Sequence, residues 1–223
     1  MRKIIVAIDG PAGAGKTSTA KLVAEKLNYI YIDTGAMYRA VTFAWLNSKL
    51  ELNDDVLKKI VDEMNIELRP SADGQITLLN GVDISEDIRS TEVNQFVSPV
   101  SANEYVRKKL VEMQRLLGEK KCCVIDGRDI GTTVFPDAEL KIFLTASIDA
   151  RARRRLLECM EKGVTDLSFD DIVCQIVARD KYDSTRAVSP LRKAEDSIEI
   201  DTSDLSLLEQ VEIIYQRVIK LIE

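Results

Sequence analysis

The chain contains no histidine. That absence removes His–Ser nucleophilic catalysis, histidine zinc sites and every imidazole proton shuttle, so any chemistry must rest on Lys, Arg, Asp, Ser or Thr. Cysteine is scarce: Cys122, Cys123, Cys159 and Cys174 show no CxxC spacing, and two of them are adjacent inside an apolar run. Buried thiols in a reducing compartment are expected, without disulfides or a metal site. No apolar run approaches the roughly 18 residues of a membrane span, and the short run before Asp9 is too brief for a signal peptide core. A cytoplasmic protein is expected. Positive charge is also lacking, since 31 Lys and Arg against 37 Asp and Glu leave −6, a poor match to duplex nucleic acid. Trp45 is the only tryptophan, and it reads as core rather than as a platform for stacking bases. Internal repeats, low-complexity tracts and flexible linkers are absent, so 223 residues suit one domain with an insert.

What is present is a series of short apolar runs, at residues 3–8, 29–32, 122–125, 140–144 and 197–200, with helical patterns between them. Runs of this kind read as strands buried on both faces, and their alternation with helices predicts an α/β fold with a parallel five-stranded sheet flanked by helices. The pattern predicts a helix over 16–27. It predicts another over 101–117, opened by a Ser101-x-x-Glu104 capping box, with Val106, Leu110, Met113 and Leu117 inward. A last helix carries the same device at Ser206 and Glu209, with a buried stripe of Leu207, Leu208, Val211, Ile214, Val218, Ile219 and Ile222. Residues 66–84 break the rhythm with alternating segments around Asp73-Gly74 and Asn80-Gly81, and read as a small antiparallel insert.

Gly10-Pro11-Ala12-Gly13-Ala14-Gly15-Lys16-Thr17 fits G-x-x-x-x-G-K-[ST] and lies between an expected strand and an expected helix, the context this phosphate loop requires. Its glycines let successive N–H groups point at phosphate oxygens, and the helix that follows presents its positive end to the same anion. Lys16 can reach the β- and γ-phosphates, and the Thr17 hydroxyl can ligate Mg²⁺. A nucleoside triphosphate with Mg²⁺ is expected. The loop leaves the acceptor open. No N-K-x-D guanine segment occurs, and Val124-Ile125-Asp126 offers one acidic residue followed by Gly127-Arg128-Asp129, which suits a second anion better than a hydrolytic water.

Phosphoryl transfer between two polyanions needs their repulsion cancelled, which planar guanidinium groups do well. Arg39 and Arg128 follow expected strands, Arg179 and Arg186 bracket Asp183, and Arg151 and Arg155 sit four apart on one helix face. With these residues in place, GPAGAGKT, IDTGAMYR, VIDGRDIGTTVFPDA, RARRR and RDKYDSTRAVSPL, in this order along nearly the whole chain, resemble the bacterial cytidylate kinases of the P-loop nucleoside monophosphate kinase family.

The resemblance implies a cytoplasmic enzyme of pyrimidine nucleotide metabolism, a monomer, that moves the γ-phosphate of ATP to CMP or dCMP. It implies one kinase domain over 1–223, with a core of 1–65, 98–150 and 166–223, a monophosphate-binding insert at 66–97 and a lid at 151–165. ATP would be bound by Gly10 through Thr17 with Ser18, and by Arg151 and Arg155 of the lid. Arg39 and Arg128 would clamp the CMP phosphate beside Thr34, while Ser98, Arg107 and Asp129 would read the base. Arg179, Asp183 and Arg186 would lie around the sugar and phosphates. The charge-neutralising catalytic set would be Lys16, Arg39, Arg128, Arg155 and Arg186. Asp126 either assists Mg²⁺ through water or fixes its loop. Two departures stand out: Thr34 where the family often has Ser, and Thr17 where it has Gly or another small residue. Both changes keep or add a hydroxyl. Two other readings compete, a P-loop kinase for another small acceptor such as shikimate, and a nucleotide-sensing or RNA-associated module using the RARRR helix.

Overall fold

The computed structural model describes residues 2–71, 74–161, 163 and 167–223. The elements run β1 (Ile5–Asp9), α1 (Lys16–Leu27), β2 (Ile30–Asp33), α2 (Thr34–Ser48), α3 (Asp54–Glu63), β3 (Ile66–Ser71), β4 (Gly74–Leu79) and β5 (Val82–Asp83). They continue with α4 (Thr91–Ala102), α5 (Glu104–Gly118), β6 (Cys123–Asp126), β7 (Leu140–Thr145), α6 (Ile148–Glu161), α7 (Phe169–Thr185), β8 (Ile198–Asp201) and α8 (Leu207–Ile222). Asp73 of the expected first turn lies outside the described residues, as do the last residues of the expected lid.

The five apolar runs form one parallel sheet in the order β2-β6-β1-β7-β8. All of β1 is buried because helices cover both of its faces. Ile4, Val6 and Ile8 pack with Ala20 and Val23 of α1 and with Val211, Ile214 and Val218 of α8. Ile5 and Ala7 turn the other way, toward Val111 of α5 and Ile130 and Val134 of a single wide π turn at Ile130–Val134. This two-sided burial is why the strand reads as an unbroken apolar run. No helix among the described residues is long and apolar enough to cross a membrane.

A separate apolar cluster joins Met37, Val41 and Trp45 of α2 with α3, α4, α5 and Ile66 of the small sheet. Trp45 is core, meeting Phe96 edge-to-face at 5.3 Å while its indole N–H donates to the Leu50 carbonyl at 3.0 Å. The insert is the expected antiparallel meander β3-β4-β5. Asn80 and Gly81, at φ 51° and 83°, form the two-residue turn whose twist matches a hairpin.

Four local expectations are corrected, the simplest being Leu117, expected inward but exposed on α5. Ser101 does not open a helix: it lies in the last turn of α4, its hydroxyl donating to the Ser98 carbonyl at 3.0 Å, and Asn103 caps α5 by accepting from Val106 N–H. Ser98 and Pro99 are therefore helical. The Ser206 and Glu209 capping box forms as expected, but Leu207 and Leu208 are exposed. Cys123 and Cys159 are buried free thiols, whereas Cys122 is half-buried and Cys174 lies on the outer side of α7 in solvent.

Ile142 of β7 is 1% exposed and packs in the cluster that α1 and α8 form on one face of the sheet. Ile142→Ala should cost about 2–5 kcal/mol of stability, read as a shift in the chemical denaturation midpoint at unchanged slope.

Candidate active site

The C-terminal edge of the sheet carries the chemistry, the place where open parallel sheets bind ligands. The chain turns there immediately after β1. Gly10 adopts φ 147°, and a Cβ on it would lie 2.0 Å from the Leu144 carbonyl oxygen of β7, so only glycine fits. Gly15 stands at the start of α1 with no side-chain cap, and the first turn holds no acidic residue. The first N–H groups of the helix are thus left for an anion. Thr17 and Ser18 are exposed on that turn.

The loop is braced from behind. The Thr202 hydroxyl lies 3.1 Å from the Ala14 carbonyl and 3.0 Å from that of Thr145. Buried Arg151 donates to the Ala12 carbonyl at 3.1 Å and pairs with Asp180 at 2.6 Å. Lys16 is 5% exposed and donates to the Pro11 carbonyl at 2.7 Å. Burial, with Arg128 next, holds its amine well below the ordinary lysine range.

Asp9, Asp33 and Asp126 end three adjacent strands, with Asp33 in register with Asp126. Asp126 accepts from the Thr17 hydroxyl and the Tyr31 hydroxyl, both at 2.9 Å, and its carbonyl accepts from Thr34 at 2.7 Å. Burial and then Asp33 push its carboxyl up to about 6. Asp33 caps α2 at Ala36 N–H, and its own N–H donates to Gln75 of the insert at 3.0 Å.

Facing the phosphate loop is a cluster of guanidinium groups. Arg128 donates from Nε to Asp183 at 2.9 Å. Arg179 is driven to about 9 by burial and by Arg128 and Arg39, and its Nε has no partner among the described residues. Arg39 is half-buried, lies 3.4 Å from Asn94 Oδ1, and is likewise lowered by burial. Burial alone would raise Asp183, but Arg128 and Arg179 outweigh it and hold the carboxylate below its ordinary value. Deeper still, Arg107 is 2% exposed and donates to Asp129 at 2.6 Å and to the Ser101 carbonyl at 3.1 Å. Arg186 lies 3.6 Å from the other Asp129 oxygen and donates twice to the Ser189 carbonyl.

The structure thus gathers Lys16, Thr17, Thr34, Arg128, Asp129, Arg179, Asp183 and Arg186 at the C-terminal edge of the sheet. Ser98 is half-buried on α4, one turn before the Ser101 carbonyl that Arg107 reaches. Arg155 is half-exposed and pairs with Glu158 on its own helix at 3.0 Å, while its charge is felt by Arg179. Residues that the sequence reading passed over include Tyr31, Asp180, Thr202 and Asp9. Asp9 closes an apolar strand with a charge, which was the available signal. Among the described residues no group of three His, Cys, Asp or Glu could hold a metal. The oxygen pair of Thr17 and Asp126 fits an Mg²⁺ that keeps its waters and phosphate ligands.

A phosphate loop on a parallel sheet, opposed by clustered arginines, defines a P-loop kinase. A solved shikimate kinase from Bacteroides thetaiotaomicron shares this fold, with a TM-score of 0.52 at 17% identity over 99% of each chain. The family model for cytidylate kinase matches residues 6–220, and the chain belongs to that family. The cytidylate kinase of Bacillus subtilis is 50% identical over 97% of each chain, and that of Bacillus velezensis 51% identical over 93% of each.

Because the folded Asp126 holds its proton to about 6 against 3.8 when unfolded, the proton favours the fold; that contribution is complete below 3.8 and is lost as pH rises through about 6. Asp126→Asn cannot titrate. Thermal melts without nucleotide or metal should therefore show the variant gaining on wild type between pH 4 and pH 7, and a difference that stays flat with pH would contradict the raised value.

Proposed function

We propose that the two sides of this edge hold two nucleotides in line, one on the phosphate loop and one on the arginine cluster, and that phosphorus passes directly between them. As a member of the cytidylate kinase family, the enzyme transfers the γ-phosphate of ATP to CMP or dCMP, giving CDP or dCDP and ADP. The observation that supports the residue roles is a surplus of positive charge: half-buried Arg179, whose Nε has no partner among the described residues, is crowded by Arg128 and Arg39 and faces buried Lys16. Such a cluster stabilises phosphate oxygens without reorganising when charge develops.

In this reading Gly10, Pro11, Ala12, Gly13, Ala14, Gly15, Lys16, Thr17 and Ser18 hold ATP, with Arg151 bracing the loop and Arg155 reaching the nucleotide when the lid moves inward. Arg39 and Arg128 take the CMP phosphate beside Thr34. Lys16, Arg39, Arg128, Arg155 and Arg186 neutralise the transferring group. Arg179 and Asp183 meet the sugar and phosphates, Asp183 leaving Arg128 to accept from a sugar hydroxyl. Mg²⁺ would be held by Thr17 and, through water, by Asp126, and when bound it supplies charge neutralisation between the phosphates. No general base is required, since a phosphate monoester is largely ionised at neutral pH. That agrees with a chain devoid of imidazole.

Asp129, fixed by Arg107, presents a carboxylate acceptor to the cytosine 4-amino group, while Arg107 and Ser98 supply donors to the N3 and O2 edge. Uracil would meet Asp129 acceptor to acceptor. We read residues 66–97 as the monophosphate-binding insert and 151–165 as the lid of a single domain, and the enzyme as a cytoplasmic monomer.

ADP release measured with CMP, dCMP, UMP and AMP as acceptors tests the reading: turnover of CMP and dCMP well above the others is expected, and inert CMP would overturn it. Lys16→Ala and Arg128→Ala should each lower kcat by about 10²–10³-fold with unchanged far-UV circular dichroism. Near-wild-type turnover in either variant would remove that residue from the machinery. In Asp129→Ala the ratio of kcat/KM for CMP over UMP should fall by about tenfold or more, the loss of one charge-assisted hydrogen bond; an unchanged ratio would show that Asp129 does not read the base.

A further inference from the structure

The reaction as read above gives no task to the buried carboxylate of Asp9. Asp9 is 5% exposed at the end of β1, one residue before the phosphate loop. Its Oδ1 accepts from Ile130 N–H at 2.8 Å and its Oδ2 from Gly131 N–H at 2.7 Å. Burial, against those two bonds, pushes its carboxyl up to about 7, so keeping a charge there is costly to the fold.

The two amides follow directly on Arg128 and Asp129. Other ties hold the segment as well: Gly127 N–H donates to the Ile8 carbonyl at 3.0 Å, the Asp129 carbonyl accepts from Thr133 N–H at 2.8 Å and Val134 N–H at 3.2 Å, Arg107 pairs with the Asp129 side chain, and Arg115 donates to the carbonyls of Thr133 and Val134. Between those ties, Asp9 holds the backbone with both oxygens. The phosphate loop has independent braces in Thr202 and Arg151, so it does not depend on Asp9 in the same degree.

We propose that Asp9 is a positioning residue that clamps the Arg128–Asp129 segment to the phosphate loop, setting the register between the bound acceptor and the γ-phosphate of ATP. It rests on the assignment of CMP to the arginine side. An ionised carboxylate accepts from both amides, whereas asparagine offers one acceptor and turns a second donor toward the other N–H. Asp9→Asn should therefore loosen the segment without emptying the site.

The test compares wild type with Asp9→Asn and Asp9→Ser, using CMP and UMP as acceptors. Expected in both variants are a kcat/KM for CMP lowered by about tenfold or more, a CMP-over-UMP ratio narrowed several-fold, and a KM for ATP within about threefold of wild type. An unchanged ratio, or an equal loss toward both acceptors and ATP, overturns the clamp while leaving the kinase reading intact; a wild type inactive on CMP fails that reading instead. Should neither variant fold, amide exchange in the wild type decides: slow exchange at Ile130 and Gly131 relative to exposed amides supports the clamp, and rapid exchange at both rejects it.

Discussion

The rest of the site depends on the mutual repulsion of guanidinium groups that the fold brings together and does not fully neutralise. Arg39, Arg128 and Arg179 each see the others, and Arg179 falls to about 9 as a result of burial and of that crowding. Asp183 relieves part of the strain by binding Arg128 at 2.9 Å. The remainder is held in place by packing: α7 carries Arg179 and Asp183, and α7 leans on α6 through Ala152, Ile172 and Ile176. A phosphate entering such a cluster removes repulsion as well as adding attraction, so affinity for the anion is stored in the unliganded fold.

The aspartates on the sheet edge answer this charge. Asp9, Asp33 and Asp126 lie side by side, each committed to backbone amides or hydroxyls: Asp33 to Ala36, Asp126 to Thr17 and Tyr31, Asp9 to Ile130 and Gly131. Parallel strands deliver their last residues to one rim, and the sequence therefore ends three apolar runs with the same residue type. Each carboxylate ties a strand end to the loop or helix beside it, which converts the rigidity of the sheet into rigidity of the site.

The strands and the phosphate loop were legible in the sequence because their causes are local. A run buried on both faces is apolar throughout, and a loop that curls around phosphate needs glycine at fixed places. The parallel five-stranded sheet, the small meander and helix α1 follow from such signals. Ser101 misled because Asn103, two residues on, also caps, and only the packing of α4 against α5 selects between them. Leu207 and Leu208 misled because an apolar residue in a first helical turn fits the stripe without being covered. The residue roles around the arginines came through resemblance rather than pattern. The Arg128 and Asp183 pair spans 55 positions and the Asp9 clamp 121 and 122, so neither has any periodic signature. The geometry also separates Arg151, locked under the loop by Asp180, from Arg155, which adjoining letters had made look equivalent.

Helix α1 opens with Gly15 and carries neither a capping side chain nor an acid in its first turn. The chain leaves that terminus without a side-chain cap, open to an anion such as a phosphate group. Mass action then makes the heat tolerance of this protein a function of nucleotide concentration: at about 100 times the dissociation constant a bound nucleotide adds about 2.7 kcal/mol to the folded state. A cell rich in triphosphate would hold the enzyme in its sturdier form, and a depleted cell would expose the frailer one to unfolding and proteolysis.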